Sequence, residues 1–161
     1  MHILIIYYSK TGRTKRLAEE IAQGVREVEG VILNMKSASE VTKEDFLNSE
    51  GIIAGSPVYF GTMAAELKDV FDRFLPIRKQ MEHKVGAAFA TSHHPTGGKE
   101  TTIMSIIQAF LIYGMIVVGD PMNASGHYGV AYSGDMNQQV KDEARKLGKR
   151  VAELVKKLAE E

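Results

Sequence analysis

The chain has 161 residues, no cysteine, and 20 basic against 20 acidic side chains. A balance of zero lacks the basic excess of a nucleic-acid binder. Without thiols there is no disulfide framework, thiolate nucleophile, iron–sulfur cluster or Cys-type zinc site, so any redox chemistry has to come from a bound cofactor. The apolar run at the start, Ile3 to Tyr8, is too short for a secretory signal core. The apolar region 103–118 is broken by Ser105, Gln108 and Gly114 and falls short of the roughly 20 residues of a membrane span. A cytoplasmic protein is expected, with no membrane span and no nucleic-acid partner. The length suits one domain over residues 1–161.

In chain order, short apolar runs alternate with amphipathic segments. Ile3 to Tyr8 reads as a buried strand, and Leu17, Ile21, Val25 and Val28 then recur at helical spacing. Val31 to Met35 is a second strand, and "TKEDFLNSE" a short helix or turn. "GIIAGSPV" is a third strand, stopped at Pro57. "MAAELKDVFDRFL" is helical, "KVGAAFATS" a fourth strand, "ETTIMSIIQAFLIYG" a helix ending near Gly114, and "MIVVG" a fifth strand. A loop follows, then an amphipathic helix marked by Val140, Ala144, Leu147, Val151, Leu154 and Leu158, whose charged face is expected to carry i,i+4 pairs. The strands are apolar throughout instead of alternating, which predicts burial on both faces. Strand–helix alternation predicts crossover units. The expected fold class is α/β, a doubly wound five-stranded parallel sheet in the order 2-1-3-4-5 with helices on both faces. The site is expected beyond the carboxyl ends of the strands.

Three loops lie there. "SKTGRT", Ser9 to Thr14, lacks the Gly-Lys-Ser/Thr ending of a nucleotide-triphosphate loop and the three glycines of a dinucleotide loop. Its hydroxyls (Ser9, Thr11, Thr14), its single Gly12 and the helix that follows suit a terminal monophosphate; a plain helix cap would use the same residue types. "GSPVYFGTM", Gly55 to Met63, sets Tyr59 and Phe60 at a strand tip, where they lie against a flat ring or cover the core. "TSHHPTGGKETT", Thr91 to Thr102, offers Ser92, His93 and the backbone of Gly97 and Gly98 to a polar ring edge. His93 and His94 are adjacent and no ligand set completes them, so no metal is expected.

Together, "YYSKTGRTKRLAEEIAQGV", "GSPVYFGTMAAELKDVFDRFL" and "TGGKETTIMSIIQAFLIYGMIVVG" resemble the flavodoxin-like proteins of the WrbA type over nearly the whole chain. Those are FMN proteins, many of them NAD(P)H:quinone oxidoreductases. The resemblance implies a flavodoxin-like fold. It also implies that Ser9, Thr11, Gly12, Arg13 and Thr14 hold the FMN phosphate, with Lys10 and Arg13 adding field. Pro57, Val58, Tyr59, Phe60, Gly61 and Thr62 would line the ring and ribityl chain. Thr91, Ser92, His93, Thr96, Gly97 and Gly98 would meet the phosphate side and ring edge. Tyr128 and Gly129, in "GHYGVAYSGD", and Met63 are expected near the flavin. No catalytic side chain is implied, since the flavin carries the chemistry. The family often has a histidine where this chain has Tyr113, so a hydrogen bond to the ring is either lost or supplied by His127 or a neighbouring subunit. The chain is also shorter than the WrbA type, whose inserted segments support tetramers; a homo-oligomer is still an expectation.

The expected function is therefore reduction of quinones or similar acceptors by NAD(P)H on FMN. The alternative is a flavodoxin-type carrier that exchanges electrons with a protein partner. Zero net charge and the absence of tryptophan weigh against the carrier, whereas a patch from Asp120 and Asp135 would favour it. A phospho-receiver domain shares the topology but needs acidic residues where this chain reads "YYSKT" and "AGSPV".

Overall fold

Along the first strand, Ile3, Ile5 and Tyr7 enter one buried cluster while Leu4 and Ile6 enter another. Side chains alternate across a strand, so a strand apolar at every position has to be covered on both sides. A computed structural model, which describes residues 1–160, shows how this is met. The elements are β1 (His2–Tyr7), α1 (Arg13–Arg26), β2 (Ile32–Ser37), α2 (Lys43–Leu47), β3 (Gly51–Pro57), α3 (Ala65–Arg73), a 3₁₀ segment (Leu75–Met81), β4 (Val85–Ser92), α4 (Lys99–Ile112), β5 (Ile116–Val117), β6 (Ala131–Ser133) and α5 (Gln138–Ala159). The strands are parallel and ordered β2-β1-β3-β4-β5, as expected. α1 and α5 cover one face of the sheet; Phe46 of α2, with α3 and α4, covers the other.

A sixth strand was not expected. β6 pairs with β4 through Ala90–Ala131, Thr91–Tyr132 and Ser92–Ser133, while β5 pairs lower on β4 through Val85–Ile116 and Gly86–Val117. The two are pieces of one edge track, interrupted by residues 118–130. Asp120 closes the neck of that interruption: its carboxylate accepts the Gly129 N–H (2.9 Å), and its own N–H donates to the His127 carbonyl (3.2 Å). Arg150 of α5 also donates to the Gly119 carbonyl (2.8 Å). Asp120 is 6% exposed and burial raises its pKa above the ordinary 3.8, so it cannot belong to a surface acidic patch.

The charged face of α5 also differs from expectation. Arg145 and Lys149 do not form ion pairs along their own helix; they reach across to Glu20 (2.8 Å) and Glu27 (3.3 Å) of α1. The i,i+4 ion pairs lie on α3, as Lys68–Asp72 and Asp69–Arg73. α1 and α5 come close because each presents a glycine to the other's backbone. A Cβ at Gly24 would stand 1.9 Å from the Arg145 carbonyl oxygen, and one at Gly148 would stand 2.1 Å from that of Ile21. Among the described residues no helix is long and apolar enough to cross a membrane.

Alanine normally improves a helix over glycine by about 1 kcal/mol. At Gly148 the sign should reverse, because the added methyl forces α1 and α5 apart. Gly148→Ala is expected to lower unfolding stability by about 1–3 kcal/mol in urea denaturation; unchanged or higher stability would contradict the close approach.

Candidate functional site

α1, α3 and α4 all begin just past the carboxyl ends of β1, β3 and β4. The first N–H groups of any helix lack partners within it. At α2 and α5 they are capped, by the side chains of Thr42 and Asn137. At α1 and α4 the cap residue is Gly12 (φ 90°) or Gly98 (φ 97°), each in the left-handed region and each without a side-chain cap. These two helix starts therefore leave donors, and the positive end of the helix dipole, facing the space beyond the sheet.

The first loop is tightened by Ser9, whose Oγ accepts the Gly12 N–H at 3.1 Å. Thr14 and Thr91 are both buried and share a hydrogen bond between their hydroxyls at 2.8 Å, which joins the first loop to the tip of β4. Thr91 also accepts the Val58 N–H on its carbonyl at 2.8 Å, so one residue fastens all three loops. The hydroxyls of Ser9 and Thr14 thus organise the loop, and the exposed Thr11 joins the helix N–H groups as a donor. Nothing lies within 4 Å of the place a Gly12 Cβ would take, so the loop is open there.

The second loop makes a tight hairpin. Tyr59 and Thr62 exchange two backbone hydrogen bonds of 3.1 Å, and the residues between them, Phe60 (φ 52°) and Gly61 (φ 75°), both have positive φ, the pattern of a type I′ turn. A phenylalanine there is uncommon, and this one is fully exposed at the tip. Gly61 lies against the third loop: a Cβ on Gly98 would stand 3.1 Å from the Gly61 Cα. The buried Ser56 stabilises the base of the hairpin, donating to the Pro57 carbonyl (2.7 Å) and accepting from Ala64 N–H (2.8 Å). Tyr8 meets Tyr59 edge-on at 6.2 Å, and the neighbouring Glu66 carboxylate raises its pKa above the ordinary 10.0. Neither Ser56 nor Tyr8 stands out in the sequence, since the Ala64 N–H that Ser56 accepts and the Tyr59 ring that Tyr8 meets belong to the far side of the hairpin or to another loop.

In the third loop Ser92 donates to the His94 carbonyl (2.7 Å), Gly97 N–H donates to the same oxygen (3.0 Å), and the His94 ring bonds Thr96. His93 and Arg13 face a polar hollow on the α1–α5 side of the sheet end. Arg13 stacks 5.3 Å over the Tyr132 ring and donates to the Gly134 carbonyl, so its head group turns away from the first loop. Tyr128 and Gly129 line a different small hollow, with Lys99 and His127. On the α3–α4 side, Tyr59, Phe60 and Met63 border an apolar groove of about 1150 Å³ that continues past Gln108 to Ile112.

The structure thus brings the first, second and third loops together, with Ser9, Thr11, Gly12, Thr14, Pro57–Thr62 and Thr91–Gly98, while Tyr128 lines the separate hollow that starts beside Gly98 at Lys99. Unpartnered N–H groups beside hydroxyls, a close glycine crossing and two aromatic rings suit a phosphate ester joined to a flat ring, the shape of FMN.

Residues 1–129 match the family model described as NADPH-dependent FMN reductase. A protein called flavodoxin from Aquifex aeolicus is 35% identical over 159 residues, covering 95% of this chain and 86% of its own length. One called NAD(P)H dehydrogenase (quinone), from Archaeoglobus fulgidus, is 33% identical, covering 97% and 98%. Among solved structures, the flavodoxin, WrbA-like protein from Agrobacterium tumefaciens superposes with a TM-score of 0.80 at 21% identity, covering 97% of this chain and 98% of that one, which shows the same fold.

Tyr113, at the position where the resemblance expects a histidine, ends α4 and lies before β5, at the end of the sheet away from the three loops. It is buried among Phe46 and Phe71, and its hydroxyl donates to the Phe71 carbonyl at 2.6 Å. Burial pushes its pKa from 10.0 to about 12. A phenol whose pKa is raised on folding adds stability that is fully present below pH 10 and lost as the pH climbs toward 12. Tyr113→Phe is expected to cost about 1 kcal/mol at neutral pH and to flatten the alkaline fall in stability across that window. Denaturation at a series of pH values checks both, and an unchanged alkaline slope would contradict the assignment.

Proposed function

The chain belongs to the NADPH-dependent FMN reductase family, and on that premise we propose that it is an FMN-dependent oxidoreductase, taking electrons from NAD(P)H and delivering them to a quinone or a similar small acceptor. The observation that carries this reading is the pairing of two uncapped, left-handed glycine helix starts, at Gly12 and Gly98, with an open apolar groove beside the Tyr59–Thr62 hairpin. In this reading Ser9, Thr11, Gly12 and the first N–H groups of α1, at Arg13 and Thr14, hold the phosphate. Pro57, Val58, Tyr59, Phe60, Gly61 and Thr62 lie along the ring, and Thr91, Ser92, His93, Thr96, Gly97 and Gly98 close its other edge. FMN supplies the two-electron chemistry when bound, and the protein binds, orients and tunes it. The chain's own residues exclude water through Tyr59 and Phe60, and hold the loops rigid through Thr14, Ser56 and Thr91.

The groove favours an acceptor with an apolar ring, since its walls include Met63, Phe71, Ala109 and Ile112. The relative called NAD(P)H dehydrogenase (quinone) supports the same choice. The relative called flavodoxin supports the other reading, a carrier without turnover of its own. Zero net charge and the burial of Asp120 leave that reading less acidic surface with which to steer a basic partner.

FMN-loaded protein is expected to oxidise NADPH or NADH continuously when a soluble quinone is present. A yellow protein that shows no donor-dependent turnover would establish the carrier instead, and a protein that takes up no FMN would remove both readings. Ser9→Ala with Thr11→Ala is expected to weaken FMN binding by about ten- to a hundredfold in a fluorescence titration, because hydrogen bonds to a charged group are worth about 1.5–3 kcal/mol. Unchanged affinity would make the loop a turn and nothing more.

A further inference from the structure

The segment 118–130, between β5 and β6, closes on itself at Asp120. Oδ2 of that carboxylate accepts the Gly129 N–H at 2.9 Å, and the Asp120 N–H donates to the His127 carbonyl at 3.2 Å. Two glycines keep this neck narrow. A Cβ on Gly119 would stand 2.0 Å from the His127 carbonyl oxygen, and one on Gly126 would stand 2.6 Å from Oδ2. The other carboxylate oxygen, Oδ1, is buried and meets no hydrogen-bond partner among the described residues. Beyond the neck the segment is surface, with Met122 fully exposed and Tyr128 half exposed. Side chains tie its outer part to α5, from Lys146 to the Asn123 carbonyl (2.7 Å) and from Ser125 to Glu143.

A buried carboxylate with one partnered oxygen is costly when charged and much less so when neutral. Its surroundings do not supply a countercharge. On α5, Arg150 is committed to the Gly119 and Asp120 carbonyls, and Glu143 is a second carboxylate. On the segment itself the facing group is His127. On α4, Lys99 and Glu100 line the adjoining hollow of about 290 Å³ with opposite charges. β4 meets the neck through Ala88 and Ala90. Burial, and after it Glu143, hold the Asp120 carboxyl above its ordinary 3.8, against the Gly129 N–H and His127, which pull it down. Closure therefore gains stability below 3.8 and loses it as the pH rises through the raised value.

We propose that residues 118–130 form a proton-governed flap, shut while Asp120 holds a proton and released as that carboxyl ionises into water. Release bares the hollow at Tyr128. It also slackens β6, whose Tyr132 and Ser133 pair with Thr91 and Ser92 beneath the third loop, and whose Tyr132 ring carries Arg13. The flap is independent of the redox reading and holds for a reductase and a carrier alike.

Solution NMR of the intact chain over a pH series tests it. The Asp120 carboxyl is expected to titrate above 3.8. Protection of the Gly129 amide from hydrogen exchange, corrected for the intrinsic rate, should fall through the same midpoint. The fall should be about tenfold for each unit by which closure raises the carboxyl's pKa. The Ile53 amide, in the central strand β3, should keep its protection over that range. Asp120→Asn is expected to leave Gly129 protected without pH dependence. Glu143→Gln, which keeps an acceptor for Ser125, should lower the midpoint, and the loss of Gly129 protection should move with it; this variant carries the test if Asp120→Asn does not fold. Gly129 protection that stays flat while Asp120 titrates would overturn the proposal. So would an unmoved midpoint in Glu143→Gln, or Gly129 and Ile53 losing protection together.

Discussion

A parallel sheet buried on both faces is the constraint from which the rest follows. Ile3, Ile5 and Tyr7 need a cover on one side, and Leu4 and Ile6 on the other. Only a chain that returns over the sheet between successive parallel strands can supply both. Each return carries a helix that starts at the carboxyl edge, so the unpaired N–H groups of α1 and α4 gather on one side of the molecule. The donors that make an anion site are therefore a by-product of how the core is closed. What is specific to this chain is that Gly12 and Gly98 leave them uncovered, whereas Thr42 and Asn137 cap α2 and α5.

The three loops at that edge behave as one frame because Thr91 joins them. Its hydroxyl meets Thr14 and its carbonyl receives the Val58 N–H. Both hydroxyls are buried, and a buried polar group without its partner is costly, so neither loop can move without the other. Gly61 and Gly98 then allow the second and third loops to touch through backbone alone. Preorganisation of this kind lets a site hold a cofactor without losing loop entropy on binding. Protein groups need only position and tune the bound group, which is why no acid–base pair is required there.

On either side of that frame the sheet end offers different surroundings. Toward α3 and α4 the groove is mostly apolar, and exposed Phe60 and Ile112 border it. Toward α1 and α5 the hollow is polar, with cations and carboxylates both in its lining.

Much of this was legible in the sequence. Unbroken apolar runs betray two-sided strands, helical spacing betrays their covers, and glycine with hydroxyls after a strand betrays an open helix start; all three are local patterns, and local periodicity records burial. It does not record which atom lies opposite. Thr14 finds Thr91 across 77 positions, and Arg13 turns to Tyr132 and Gly134 instead of toward its own loop. Gly24 and Gly148, weak points of a helix by propensity, are the contact between α1 and α5. Asp120, an ordinary surface residue by type, is the buried clasp of the interrupted edge, and "AYS" is too short to be seen as a strand until β4 offers it a ladder. The sequence by itself determined the layers of the fold and the edge at which the three glycine- and hydroxyl-rich loops gather. Tertiary structure alone decided which hydroxyls are occupied and where the helices touch, because those depend on register between segments distant along the chain.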